Sequence, residues 1–183
     1  MGVTKVIIKV LAENTSVSEK LGSEHGLSLY LETKGRRILF DTGASALFAR
    51  NAEKMGVDLT QVDLAVISHG HYDHGGGLEE FLRLNAKAPV YVHERAFEEY
   101  YAKRPNAETV YIGLNKSLLL QKRFLFAGDY LAVDDDLTLF SGVKDEKLKP
   151  SGNRDLLMKA GDSCVEDDFA HEQNLIVQED GKT

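Results

Sequence analysis

The stretch that most constrains this chain is Val66 to Leu78, VISHGHYDHGGGL. Three of the chain's six histidines and one aspartate fall there within six residues, directly after an apolar run. His69 and His71 are two apart, and in extended backbone residues i and i+2 project to the same side, so two imidazoles can grip one ion. Asp73 and His74 are adjacent, which in a turning loop lets both face a second ion beside the first. A helical site would need i,i+4 spacing, as in H-E-x-x-H, and this spacing does not fit it. The ligands are therefore expected on a loop, with Gly70, Gly75, Gly76 and Gly77 supplying positive φ angles and close backbone approach. Imidazole with carboxylate suits zinc, iron or manganese better than calcium or magnesium. A polar turn with merely solvated histidines would account for one such residue more readily than for four matched positions.

The flanking pattern is that of a layered α/β domain. Residues 4–13 and 26–33 read as strands, the second turning at Lys34-Gly35 into a third over 36–43. A helix is expected over 44–56, closed by Gly56, and VDLAVIS reads as a strand buried on both faces. After the histidine loop come a short helix (LEEFLRLNA), a strand (APVYVH) and a helix over ERAFEEYYAKR closed by Pro105. In that helix Phe97, Tyr100 and Tyr101 fall at core-facing spacing. Short strands are expected at YLAV, LTLFS and HEQNLIVQE, and a long loop between Gly142 and Phe169. The order β-α-β-α argues for helices covering sheets in one domain.

Composition bounds the function. A net charge of −7 and a pI near 5.4 disfavour a phosphate-backbone partner, so neither nucleic acid nor nuclease activity is expected. One cysteine, Cys164, excludes an internal disulfide framework and fits a reducing, cytoplasmic setting. Neither a signal-peptide pattern nor an apolar run of membrane-spanning length is visible in the sequence.

SHGHYDHGGGL resembles the H-x-H-x-D-H signature of the metallo-β-lactamase superfamily, and ILFDTG resembles that superfamily's strand-and-Asp element. EHGLSLYLETKGRRILFDTG with DFAHEQNLIV looks like the branch of metal-dependent hydrolases related to the dihydropterin-ribofuranosyl-aminobenzene-phosphate synthases. The resemblance implies an α/β fold, a metallo-β-lactamase-like αββα sandwich, with a dinuclear metal site at one edge of its two sheets. It assigns His69 and His71 to the first of two divalent metal ions, and Asp73 and His74 to the second. Zinc is the expected metal, with iron or manganese as alternatives. Asp73 would be the catalytic carboxylate, orienting a water that the ions acidify for attack on an ester, amide or phosphoester of a small-molecule substrate. A pterin-phosphate synthase-type transferase is the alternative.

The same resemblance implies further ligands after the position of His171: a third histidine for the first ion, a bridging carboxylate and a last histidine for the second. None follows in HEQNLIVQEDGKT. The expectation is one domain over residues 1–183 with its second half incomplete and a half-built, weakly catalytic site. A metal-binding fragment without activity is the reading from a different class. The same incompleteness predicts an unpaired sheet edge beside NLIVQ, and self-association through it.

Three further residues are candidates around the centre. Asp41, at a strand end, is expected to hold a ligand histidine through hydrogen bonds. His25 lies in a loop that could face substrate. His171 begins a strand after the acidic run Glu166 to Asp168, with no assigned role. His93 is expected to pack or start a helix, and Cys164 to be inert.

Overall fold

A computed structural model describes residues 6–16, 18–106, 108–144, 147–148 and 150–179. Thr4 and Lys5 of the expected first strand lie outside them, as do residues 180–183. Strands β1 (Ile7–Ala12), β2 (Ser28–Thr33) and β3 (Arg36–Phe40) form an antiparallel meander. Its β2–β3 turn uses Lys34 and Gly35 at φ 44° and 75°, the twist that suits a two-residue hairpin loop. Helix α1 (Leu47–Lys54) follows, and the chain leaves it through Gly56 at φ 67°. Strand β4 (Leu64–Val66), fully buried, then adds to β3 in parallel.

Helices α2 (Tyr72–Gly75) and α3 (Leu78–Leu84) lead to β5 (Val90–His93), parallel to β4. Strands β6 (Tyr100–Lys103) and β7 (Thr109–Tyr111) turn away, and β8 (Phe124–Ala127) returns to β5. The six-stranded sheet runs β1-β2-β3-β4-β5-β8. On one face lies an apolar core including Phe48, Leu39, Ile67, Leu78, Phe81 and Val92 under α1 and α3. On the other, Leu31, Ile38, Leu64 and Val66 pack against Leu137 and Leu139 of a second sheet. That sheet contains β9 (Tyr130–Ala132), β10 (Leu137–Phe140) and β13 (Asn174–Val177), in the order β13-β10-β9. The layers are helices, sheet and sheet; among the described residues no helix covers the outer face of the smaller sheet.

Two expectations fail here. Residues 100–103 of the expected helix ERAFEEYYAKR form strand β6, because Tyr100 and Ala102 are buried while Tyr101 and Lys103 are more exposed. That period of two finds partners in β7 and in β11 (Leu156–Ala160). The expected long loop between Gly142 and Phe169 contains the hairpin β11 and β12 (Ser163–Glu166), turning through Gly161 at φ 60°. Strand β12 is exposed along its length, so its sequence carries no alternation to read. Strands β7 and β8 had no forecast. A four-stranded sheet, β12-β11-β6-β7, thereby stands beside the histidine loop.

Candidate metal centre

The centre grows from the C-terminal ends of the parallel strands β3 and β4. Leaving β3, Asp41 takes φ 60°, an uncommon left-handed conformation for a side-chain-bearing residue. It is held there by its N–H donating to Val66 O (2.8 Å) and by Ser28 Oγ donating to its carbonyl (2.9 Å). The carboxylate, wholly buried, receives Ser68 N–H (2.7 Å), the Ser68 hydroxyl (2.7 Å) and His74 Nδ1 (2.7 Å).

These contacts fix two tautomers. Asp41 ionised makes His74 Nδ1 a donor, so that in the neutral ring the Nε2 lone pair is free, 3.6 Å from Asp73 Oδ2. Ser68 spends its proton on Asp41, so its oxygen accepts from His69 Nδ1 at 2.9 Å and His69 Nε2 is likewise left bare. A metal-binding imidazole needs just this arrangement, one nitrogen donating to a support and the other unprotonated. Ser68 was not singled out in the sequence; its position directly before His69 was the available signal.

The glycines act by size alone. None of Gly70, Gly75, Gly76 and Gly77 has positive φ, contrary to expectation. A Cβ on Gly77 would stand 2.3 Å from Thr42 O, and one on Gly70 would stand 2.4 Å from Ala96 O. The loop also differs from expectation in that Asp73 and His74 sit on the one-turn helix α2. His71 precedes that helix with extended backbone and bridges to Gly113.

His69, His71 and Asp73 bring one ligand atom each within 4.8 Å of the others. His25, exposed, lies at the rim with Nε2 3.5 Å from Asp73 Oδ2. His171 is carried to the centre by a segment stitched to the end of β4: Gln173 N–H donates to Ser68 O (2.7 Å) and Gln173 Nε2 donates to Ile67 O (2.7 Å). It arrives with Asp167, which the sequence presented only as part of an acidic run. Asp167 Oδ2 lies 3.0 Å from His71 Nε2 and 3.1 Å from His171 Nε2, and both Asp167 and His171 are buried. His71, Asp167 and His171 thus form a second group with ligand atoms within 4.8 Å. Tyr100 closes its back, with its ring 4.0 Å from that of His171.

His93 is apart from this cluster, accepting Arg95 N–H at Nδ1 (3.2 Å). Cys164 is free and exposed on β12. A cleft of about 570 Å³ is bordered by the Tyr72, Gly75 and Gly76 side of the loop together with Tyr101, Tyr111 and Lys116, not by Asp73 and His74.

Electrostatics follow the geometry. Burial, reinforced by the neighbouring imidazoles, holds His69 well below the usual histidine value, so it is neutral and able to ligate. Burial also pulls His74 down, but the Asp41 hydrogen bond and charge outweigh it and carry the net shift upward. Burial pushes Asp41 up, against the pull of His74 and Ser68. For Asp167 burial acts upward too, yet the His171 and His71 hydrogen bonds prevail and hold the carboxyl far below its usual range. His171 is depressed by burial and stays a neutral donor.

The donor set fits a divalent metal: imidazole nitrogens with bare lone pairs, carboxylate oxygens, and supports behind both. Among the described residues no helix is long and apolar enough to cross a membrane.

Comparison with known proteins agrees with this chemistry. The chain is 29% identical over 150 residues to the 7,8-dihydropterin-6-methyl-4-(beta-D-ribofuranosyl)-aminobenzene-5'-phosphate synthase of Methanocaldococcus jannaschii, covering 77% of this chain and 50% of that protein. It is 35% identical over 122 residues to the uncharacterized protein MJ0448 of the same organism, covering 63% of this chain and 44% of that one. The chain therefore spans about half the length of these curated relatives. Among solved structures, Tm1679, described as a metal-dependent hydrolase of the beta-lactamase superfamily, superposes with a TM-score of 0.74 at 30% identity, over 93% of this chain and 60% of that one. Residues 21–113, half of the sequence and including Asp41 and the whole histidine loop, match the model of the metallo-beta-lactamase superfamily, and the chain belongs to that superfamily.

Proposed function

We propose that the protein is a metal-dependent hydrolase that holds two divalent ions, zinc by the donor chemistry, and cleaves a small ester, amide or phosphoester. One observation carries this reading: Asp41 and Ser68 fix His74 and His69 so that both Nε2 lone pairs are left bare beside Asp73. His69 and His71 would hold the first ion, and Asp73 and His74 the second. When bound, such ions lower the pKa of a water toward neutrality and polarise the substrate oxygen. The chain's own residues do the rest. Asp73 orients the attacking water and accepts its proton, His25 meets the substrate at the rim, and Tyr100 and Phe169 exclude bulk water from the inner side. The acidic net charge favours a small substrate over nucleic acid, and the lone exposed cysteine suits a reducing cytoplasm.

The test is metal content and turnover together. Purified protein should carry about two ions per chain and slowly hydrolyse p-nitrophenyl acetate or bis(p-nitrophenyl) phosphate, as a half-built site would, with activity lost to a chelator and restored by zinc, manganese or iron(II). A chain with one weakly held ion or none, and no turnover, would be a metal-binding module instead. A synthase-type condensation is supported by the named relative from M. jannaschii; metal-dependent product formation without hydrolysis of either ester would favour it. Self-association is proposed along β13, whose outer edge has no paired strand among the described residues while Ile8 and Val10 of β1 stand exposed; a monomer at all concentrations in sedimentation would refute it.

A further inference from the structure

We infer that Asp167 is a metal ligand, closing the first ion's site together with His69 and His71, and that His171 is a positioning residue that holds Asp167 in place without binding the ion. This rests on the metal-dependent reading above and extends it to residues outside the H-x-H-x-D-H loop.

The argument is one of proton inventory. Gly70 N–H donates to His171 Nδ1 at 2.8 Å, so Nδ1 carries no proton. A neutral imidazole then has its proton on Nε2, which faces the Asp167 carboxylate at 3.1 and 3.2 Å. For His171 Nε2 to ligate, the ring would have to become an imidazolate or give up the Gly70 hydrogen bond. A histidine that binds metal keeps a proton on its other nitrogen and donates it; His171 is arranged the opposite way.

Asp167 has the complementary arrangement. Oδ1 receives Phe169 N–H at 2.9 Å, and the carboxylate also receives the His171 proton. Oδ2 keeps further lone-pair capacity on the side where it stands 3.0 Å from His71 Nε2. Two donors on one ion with bonds of about 2 Å sit roughly 3.3 Å apart, so that separation needs little adjustment. Burying a carboxylate is costly without donors. Here Phe169 N–H and His171 Nε2–H supply them in advance, while Gln173 ties the segment to the end of β4.

The experiment uses the full chain. Zinc affinity is measured by competition with a chromophoric chelator, and the Co(II)-loaded protein is examined by absorption. Asp167→Asn should weaken one of the ions at least tenfold and alter the Co(II) bands. His171→Gln, which retains a donor, should weaken binding less and leave the band positions unchanged. Asp167→Cys should add a near-ultraviolet thiolate-to-cobalt charge-transfer band, a positive signal that survives if Asp167→Asn folds poorly. Wild-type affinity and spectrum in Asp167→Asn, or no charge-transfer band in Asp167→Cys, would overturn the assignment. Band shifts in His171→Gln as large as those in Asp167→Asn would make His171 a ligand and overturn its positioning role. Wild-type protein that takes up no ion would remove the proposed function and this ligand with it. Two ions without hydrolysis would remove only the proposed function.

Discussion

Asp41 and His74, 33 positions apart, meet at 2.7 Å through Oδ2 and Nδ1 inside the protein, and Ser68 joins the same oxygen at 2.7 Å. One carboxylate thereby sets the tautomer of two histidines. Asp41→Ala leaves three buried or half-buried donors without an acceptor, at about 1–3 kcal/mol for each group that water cannot reach. It should also weaken metal binding by roughly 10- to 100-fold, the usual effect of losing a support behind a ligand histidine. Calorimetric titration with zinc and thermal melts of the metal-free variant measure the two effects; an unchanged affinity would show that His74 needs no such support.

His69→Ala combined with His71→Ala removes both imidazoles that converge on Asp73. The double variant should retain its fold and lose tight metal binding, read as metal per chain after dialysis. Metal content equal to that of the wild type would place the site elsewhere.

Asp73→Ala should lose one ion before the other and reduce ester turnover to background, since both ion retention and water orientation are assigned to this carboxylate. Full turnover in the variant would move the chemistry to another residue.

Gly26 takes φ 123°, and a Cβ there would stand 1.9 Å from the carbonyl oxygen of Asp73. Gly26→Ala therefore combines backbone strain with a clash against the metal loop, and a loss of about 3 kcal/mol is expected. Denaturant unfolding gives the value; a change under about 1 kcal/mol would mean the His25 loop relaxes freely.

In the metal-free protein burial depresses His69, His171 and His93, so each is neutral when folded but takes up a proton near pH 6.5 when unfolded. The stability they contribute is present above about pH 6.5 and is lost as pH falls from there toward their folded pKa values. His74 has the opposite sign: its pKa is raised, so its contribution is full below about pH 6.5 and fades as pH rises through the folded value. Among the histidines three depressed groups outweigh the one raised group, and the melting temperature should fall between about pH 7.5 and about pH 5.5, against the opposite contribution of the raised Asp41 and Glu172 carboxyls. A flat or rising profile in calorimetry would contradict the neutral state of the buried histidines.

Strands that bury side chains with a clear period, and the loop at their ends, follow from local residue patterns. The β2–β3 hairpin, α1 with its Gly56 exit, the fully buried β4 and the H-x-H-x-D-H cluster were legible because each depends on neighbours a few residues apart. The rest depends on contacts between segments far apart in the chain. Residues 100–103 became β6 because β11, more than fifty positions later, offered a partner edge, and β12 left no trace because both its faces meet solvent. Asp167 and His171 reached the centre through hydrogen bonds from Gln173 to Ile67 and Ser68, 106 residues away for the first of these. A carboxylate in the run Glu166 to Asp168 looks like any solvated acid in the sequence. Its burial against two histidines follows from the packing of one segment on the end of β4, which no local spacing encodes.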